Sequence, residues 1–179
     1  YQLYRNDRLH FLQLSHRLAK EGGFLLGAKL VRGAYMEKER ERAIKLGYTS
    51  PIHLNKEATD KDFDAAATYC ISNKDTISLL LATHNEASNI AIATAMTNLS
   101  FEKNDQHVHF SQLFGMGDHI TFNMAVQGYN VSKYLPFGPI NEVIPYLMRR
   151  AEENTSVNGQ TNKELVLLKT ELARRKSSK

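Results

Sequence analysis

Three short blocks and one arginine pair hold most of the residues in this chain whose types and spacing can do chemistry. The blocks are Lys29-Leu30-Val31-Arg32-Gly33-Ala34-Tyr35, Ala82-Thr83-His84-Asn85 and Gln112-Leu113-Phe114-Gly115-Met116. The pair is Arg149-Arg150, inside Tyr146-Leu147-Met148-Arg149-Arg150. Each block closes or follows an apolar run and turns polar or glycine-rich, as a buried strand does when it runs out into a loop. In a parallel α/β barrel the functional groups sit where strands end and loops begin. The pattern points to a site assembled from several strand ends rather than from one local motif.

Alternate residues of a strand share a face. Lys29, Val31, Gly33 and Tyr35 form one set, and Leu30, Arg32 and Ala34 the other. A lysine on the face that points into a barrel is costly unless an anion or an electron-rich ring meets it. Gly33 permits close backbone approach, and its neighbouring N–H groups suit a phosphate. The plain alternative is that Lys29 and Arg32 snorkel at a strand end. Thr83-His84-Asn85 closes an apolar run and opens a helix, where it can bond a heterocycle or phosphate, or simply cap the helix through Asn85. Two adjacent guanidinium forks at Arg149 and Arg150 suit a carboxylate; the alternative is a solvated basic turn. Tyr146 precedes Arg149 by three residues and so shares a helix face with it.

Other arrangements lead elsewhere or nowhere. His107 and His109 share a strand face, but no Cys or carboxylate at metal-site spacing completes them. Asp118-His119 has no serine elbow beside it, so capping by Asp118 is the expectation. No Walker sequence and no G-x-G-x-x-G occurs, which removes support for nucleoside triphosphate or Rossmann binding.

The elements that must position these residues follow from periodicity. Helices are expected over residues 6–21, 37–46, 59–71, 86–97, 118–127, 141–153 and 163–174, and buried strands over 24–31, 76–82, 107–112 and 130–135. Strand and helix alternate four times, which indicates a parallel sheet with crossover helices. Four units are half of an eight-stranded barrel; a small open α/β sheet is the alternative. The first helix has no strand before it, so a βα unit looks cut at residue 1.

At 179 residues, 42% hydrophobic and 23% charged, the chain has the composition of one soluble globular domain. No run of about 18 apolar residues offers a membrane span, and Tyr1–Arg5 is not a signal peptide. The single cysteine, Cys70, rules out an internal disulfide and is expected to be a small buried residue. Residues 161–179 carry six basic residues against Glu164 and Glu171, which accounts for the whole net charge of +4. A neutral body with a basic tail is not a nucleic-acid face. The expected organisation is therefore an α/β body over 1–160, which the resemblance below makes part of a barrel, and a basic helical tail over 161–179, in which Leu165, Leu168 and Leu172 form an apolar stripe.

Taken together, the motifs resemble proline dehydrogenase. The matching segments are Lys29–Tyr35, Thr83–Asn85, Leu113–Gly117, Tyr134-Leu135-Pro136-Phe137-Gly138 and Tyr146–Asn154, in that order and at family spacing, over roughly residues 10–157. The resemblance implies part of a distorted (β/α)8 barrel that holds FAD at the strand C-termini and oxidises L-proline to Δ1-pyrroline-5-carboxylate. It implies Lys29 as the basic residue beside the flavin N5. Val31, Arg32, Gly33, Ala34, Thr83, His84, Asn85 and Gln112 become cofactor contacts, with Thr59 a further one and Arg32, Gly33 and Ala34 at the pyrophosphate. Tyr134, Tyr146, Leu113 and Tyr35 wall the substrate pocket, and Arg149 and Arg150 take the proline carboxylate. The family's first barrel half is missing from the sequence, so this part is expected to carry half an active site.

The resemblance also implies a quinone as electron acceptor and with it a peripheral membrane contact for the basic tail; the favoured plainer alternative is that the leucine stripe packs on the barrel and the terminal basic residues are solvated. The location would be cytoplasmic or inner-membrane-associated in a bacterium and mitochondrial in a eukaryote. Two other classes compete: a barrel enzyme for a phosphorylated substrate, and a non-enzymatic module docking on a membrane or partner.

Overall fold

The computed structural model describes residues 5–33, 35–156 and 160–177. Ala34 lies outside the described residues. Two compact units divide at Tyr134 and Leu135.

The first unit is a four-stranded, fully parallel sheet in the order β1-β2-β3-β4. Its strands are β1 (Leu26–Leu30), β2 (Ile77–Ala82), β3 (Val108–Leu113) and β4 (Val131–Tyr134). Helices α1 (Arg8–Gly22), α2 (Met36–Leu46), α3 (Lys56–Ser72), α4 (Glu86–Asn98) and α5 (Asp118–Val126) precede or connect them. Neighbours in sequence are neighbours in the sheet, as expected for consecutive βα units of a (β/α)8-type barrel. β1, β2 and β4 fall inside the runs that predict them, and β3 continues one residue past its run, to Leu113.

Helix ends show where side chains override periodicity. α3 starts at Lys56, three residues before the expected Thr59, because the Asn55 side chain accepts the Ala58 N–H at 2.9 Å. Asn85 caps α4 in the same way, accepting the Ser88 N–H at 3.2 Å. Asp118 does not cap α5. Gly117 takes the cap position at φ 62°, and Asp118 is the first helical residue, paired with Lys133 at 2.6 Å. An acid there also meets the positive end of the helix dipole.

The sheet has two unlike faces. On one, Ala28, Leu79 and Val108 form a buried row, and Leu30, Leu81, Phe110 and the half-buried Val131 form the next. Leu12 of α1, Phe63, Ala66, Ala67, Cys70 and Ile71 of α3, and Ile92 and Met96 of α4 complete this core. Cutting one of its fully buried leucines to alanine would cost about 2–5 kcal/mol. Cys70 is 1% exposed, and burial pushes its thiol pKa up to about 12, so it packs as an apolar group. The opposite face carries Gly27, Lys29, Ser132 and Tyr134, all exposed, around half-buried Leu80, His109, Val31, Ala82 and Leu113.

The second unit contains α6 (Ile140–Ser156) and α7 (Gln160–Ser177). On α7, Leu165, Val166, Leu168 and Leu172 are exposed. Arg174 and Arg175 both bond Glu171, at 2.7 and 2.8 Å, and hold its carboxyl down to about 2. Among the described residues no helix is long and apolar enough to cross a membrane.

Candidate functional site

The C-terminal strand ends bring the three sequence blocks together, and strand parity sorts them into two layers. The open layer holds Lys29, Val31, Leu113 and Tyr134. The Lys29 ammonium lies 4.7 Å from the centre of the Tyr134 ring. These residues come from the two outermost strands, which a flat sheet would separate by about 14 Å. Their approach therefore means that the sheet curls, and that this face is its concave side. A cation held against a π face in this way gains on the order of 1 kcal/mol.

At the rim of this face the backbone leaves ordinary geometry. Gly33 has φ 93°, and Tyr35, which opens α2, has φ 67°. A left-handed conformation is unfavourable for a tyrosine, and such residues gather where a ligand or a turn dictates the backbone. Tyr35 is 44% exposed. His84 reaches the same rim. Its Nε2 accepts the Leu113 N–H at 3.1 Å, which leaves the ring proton on Nδ1. A Cβ at Gly117 would stand 3.1 Å from the His84 ring and 3.3 Å from the Gln112 Cγ, so glycine there lets the β3–α5 loop close on both.

The second layer lies beneath, on the helix-facing side. One register step past the Leu30–Leu81–Phe110–Val131 row stand Arg32, Thr83, Gln112 and Lys133, a polar row on the apolar core. Arg32 donates from Nε to Asp60 at 2.6 Å and from its two terminal nitrogens to the Thr83 and Ser88 hydroxyls at 2.7 and 3.0 Å. Its guanidinium lies 4.1 Å from the centre of the Phe63 ring. The Thr83 carbonyl accepts from Gln112 and Asn89, both at 3.2 Å. Gln112 is 1% exposed and accepts the Thr121 hydroxyl at 2.8 Å through its other end. Lys133 donates to the Met116 carbonyl at 2.6 Å.

Burial alone would raise the Asp60 pKa. Bonds from Lys56 and Arg32 outweigh it and hold the carboxyl below its usual range.

Of the expected cofactor residues, Lys29, Val31, Gly33 and His84 thus stand on or at the rim of the concave face. Arg32, Thr83 and Gln112 turn to the helix side. Asn85 spends its side-chain oxygen on the α4 cap. Thr59 is 2% exposed inside α3, its hydroxyl donating to Asn55 O at 3.3 Å. On α6, Arg149 and Arg150 are half-buried, and the Arg150 guanidinium lies 5.5 Å from the Tyr146 ring centre, an i, i+4 pair. Sequence reading missed Lys133 in the polar row, and Asp60, Ser88 and Thr121, which bind that row. An apolar groove of about 400 Å³ between α4 and α5 includes none of the strand-end residues.

A sequence model of the family described as proline dehydrogenase matches residues 1–163. The chain is 41% identical over 183 residues to the mitochondrial proline dehydrogenase 1 of Caenorhabditis elegans, covering 99% of this chain and 30% of that protein. It is 40% identical over 178 residues to mitochondrial proline dehydrogenase 1 of Homo sapiens, covering 98% and 30%. It is likewise 40% identical over 179 residues to hydroxyproline dehydrogenase of Xenopus laevis, covering 98% and 38%. Among solved structures, proline utilization A from Bdellovibrio bacteriovorus, inactivated by N-propargylglycine, superposes with a TM-score of 0.82 at 28% identity, over 89% of this chain and 16% of that one. The chain spans about a third of the length of these curated relatives.

Proposed function

The chain belongs to the proline dehydrogenase family, and we propose that it forms the part of an FAD enzyme that oxidises L-proline to Δ1-pyrroline-5-carboxylate over the concave face of its sheet. The observation that carries this reading is the convergence of the Lys29 ammonium and the Tyr134 ring across an otherwise largely apolar surface. The face suits a flat heterocycle. Gly27 leaves open space where a side chain would stand, Val31, Leu80 and Leu113 offer apolar contact, and Lys29 offers one cation.

FAD, when bound, supplies the hydride acceptor. Lys29 places positive charge beside a ring that becomes more negative on reduction, which lowers the barrier if the charge is fixed beforehand. The reacting C–H of proline has no polar handle, so orientation must come from its carboxylate. Arg149 and Arg150 provide two charge-assisted forks for that group. Tyr134, Leu113 and Tyr35 exclude water around the ring, and Tyr146 shares the proposed substrate role of Arg149 and Arg150 on its own helix. Gly33 and His84 bond the cofactor at the rim, and Ala34 keeps its proposed cofactor role by its motif position alone.

A quinone is the proposed electron acceptor, and the exposed leucines and basic end of α7 would meet the membrane that carries it. The nematode and human relatives are named mitochondrial; a chain of eukaryotic source would share that compartment. The equal identity to a hydroxyproline dehydrogenase supports a second reading, in which the substrate is hydroxyproline.

Anaerobic mixing of the full-length protein with each imino acid tests both readings. The substrate bleaches the visible flavin absorbance and yields a trappable pyrroline; bleaching by neither refutes the activity. Arg149→Met or Arg150→Met should raise KM for the substrate by about 10- to 100-fold, equivalent to one charge-assisted bond, with flavin content near normal. Unchanged KM in both variants would remove the carboxylate role from α6.

A further inference from the structure

Arg32 belongs to the segment that resembles a pyrophosphate-binding motif, yet its side chain leaves the sheet on the opposite side from Lys29. Its three nitrogens donate to three separate elements: Asp60 in α3, Thr83 at the end of β2 and Ser88 in the first turn of α4. Ser88 passes the connection on, donating to Asp64 at 2.7 Å. The Thr83 hydroxyl oxygen that meets Arg32 also accepts the Asn85 N–H at 3.1 Å, which closes the turn carrying His84. His84 in turn holds the Leu113 N–H at the end of β3. A continuous path of hydrogen bonds and backbone runs from Arg32 to the rim of the concave face.

We propose that Arg32 is a positioning residue: it locks the Thr83-His84-Asn85 turn and the start of α4, and so fixes His84 and Leu113 beside the flavin without touching the cofactor's phosphates. This rests on the reading that the concave face holds the flavin. The guanidinium is the only side chain that can serve three divergent acceptors in one plane while lying flat on Phe63. A lysine keeps the charge but loses that geometry. A phosphate contact responds in the opposite way, because there the charge matters most and lysine rescues much of the loss.

The test uses the full-length protein stripped of flavin and compares its binding of FAD with that of riboflavin, which has no phosphate. Arg32→Lys and Arg32→Met should weaken both by a similar factor, about tenfold. They should change the visible circular dichroism of the bound flavin and speed amide exchange at His84, Asn85 and Leu113. Ser88→Ala, a smaller change that preserves the arginine, should reproduce the exchange effect, and the Arg32→Met/Ser88→Ala double variant should add little. Loss confined to FAD, with riboflavin binding and amide exchange unchanged and with rescue by lysine, would make Arg32 a phosphate ligand and overturn the proposal. If the unsubstituted protein binds neither compound, the flavin reading fails. The exchange rates of the variants then decide the positioning role by themselves, and unchanged rates would refute it.

Discussion

The two faces of the same four strands obey different rules. On the helix side every polar end-residue has protein partners: Arg32 on Asp60, Thr83 and Ser88, Gln112 on Thr83 and Thr121, Lys133 on Met116 and Asp118. On the concave side a lysine and a tyrosine from opposite edges of the sheet meet over an exposed surface. One face spends its polar groups on holding the loops, and the other keeps them where a ligand can reach. A motif that runs through a strand end serves both purposes at once, alternating residue by residue, so membership in the motif does not assign a role. Parity does.

Substitutions that strike one face and spare the other sharpen this contrast. The largest stability effect is expected under the polar row. Phe63 is fully buried beneath the Arg32 guanidinium, and Phe63→Ala should cost about 3–5 kcal/mol. Chemical denaturation checks this, and a loss under about 1 kcal/mol would mean that the row does not rest on Phe63.

A smaller effect is expected at the hinge between the faces. Gly117→Ala forces a left-handed alanine against His84 and Gln112 and should cost about 1–3 kcal/mol. Because His84 is displaced, flavin affinity should fall along with the thermal midpoint. A drop in stability with flavin affinity intact would separate the loop from the site.

The smallest effect lies at the other end of the strands, away from the polar row. His16 of α1 is 3% exposed, with Nδ1 2.8 Å from the Tyr69 hydroxyl and Nε2 2.7 Å from the Thr76 hydroxyl. Burial, aided by Lys20, lowers its pKa from 6.5. The folded state then binds fewer protons than the unfolded one, so the contribution of His16 is complete above about pH 6.5 and is lost as pH falls toward its folded pKa. The carboxyls of Asp60 and Asp105 are held low and add a second loss only below about pH 4. Thermal midpoints measured between about pH 7.5 and pH 5.5 should decline in the native protein and flatten in His16→Gln. Equal slopes would place the mild-acid sensitivity elsewhere.

Much of this arrangement was legible in the residues. Apolar runs located the four strands, and the polar endings of those runs stand side by side at the C-terminal end of the sheet. Parity within Lys29–Tyr35 already set Arg32 apart from Lys29. What the sequence hides is the partner of each polar group. Asp60, Thr83 and Ser88 lie 28, 51 and 56 residues from Arg32, and no local pattern links them. For the same reason the protein hydrogen bonds of Thr83, Gln112 and Thr59 cannot be read from their types and motif positions. The early start of α3, capped by Asn55, and the role of Gly117 were readable as capping signals, but helical periodicity masked the first and the adjacent aspartate the second. The left-handed Tyr35 left no trace, since nothing in tyrosine's chemistry announces that backbone.

The central claim is the proposal that the concave face, over which Lys29 meets Tyr134, is where the flavin is reduced. Rapid mixing of the full-length Lys29→Met enzyme with substrate in the absence of oxygen tests it most directly. Loss of a fixed charge at the reacting ring should slow flavin reduction on the order of 100-fold, while flavin content and affinity for an unreactive proline analogue stay near those of the native enzyme. A reduction rate equal to the native one would contradict the claim and move the chemistry off this face.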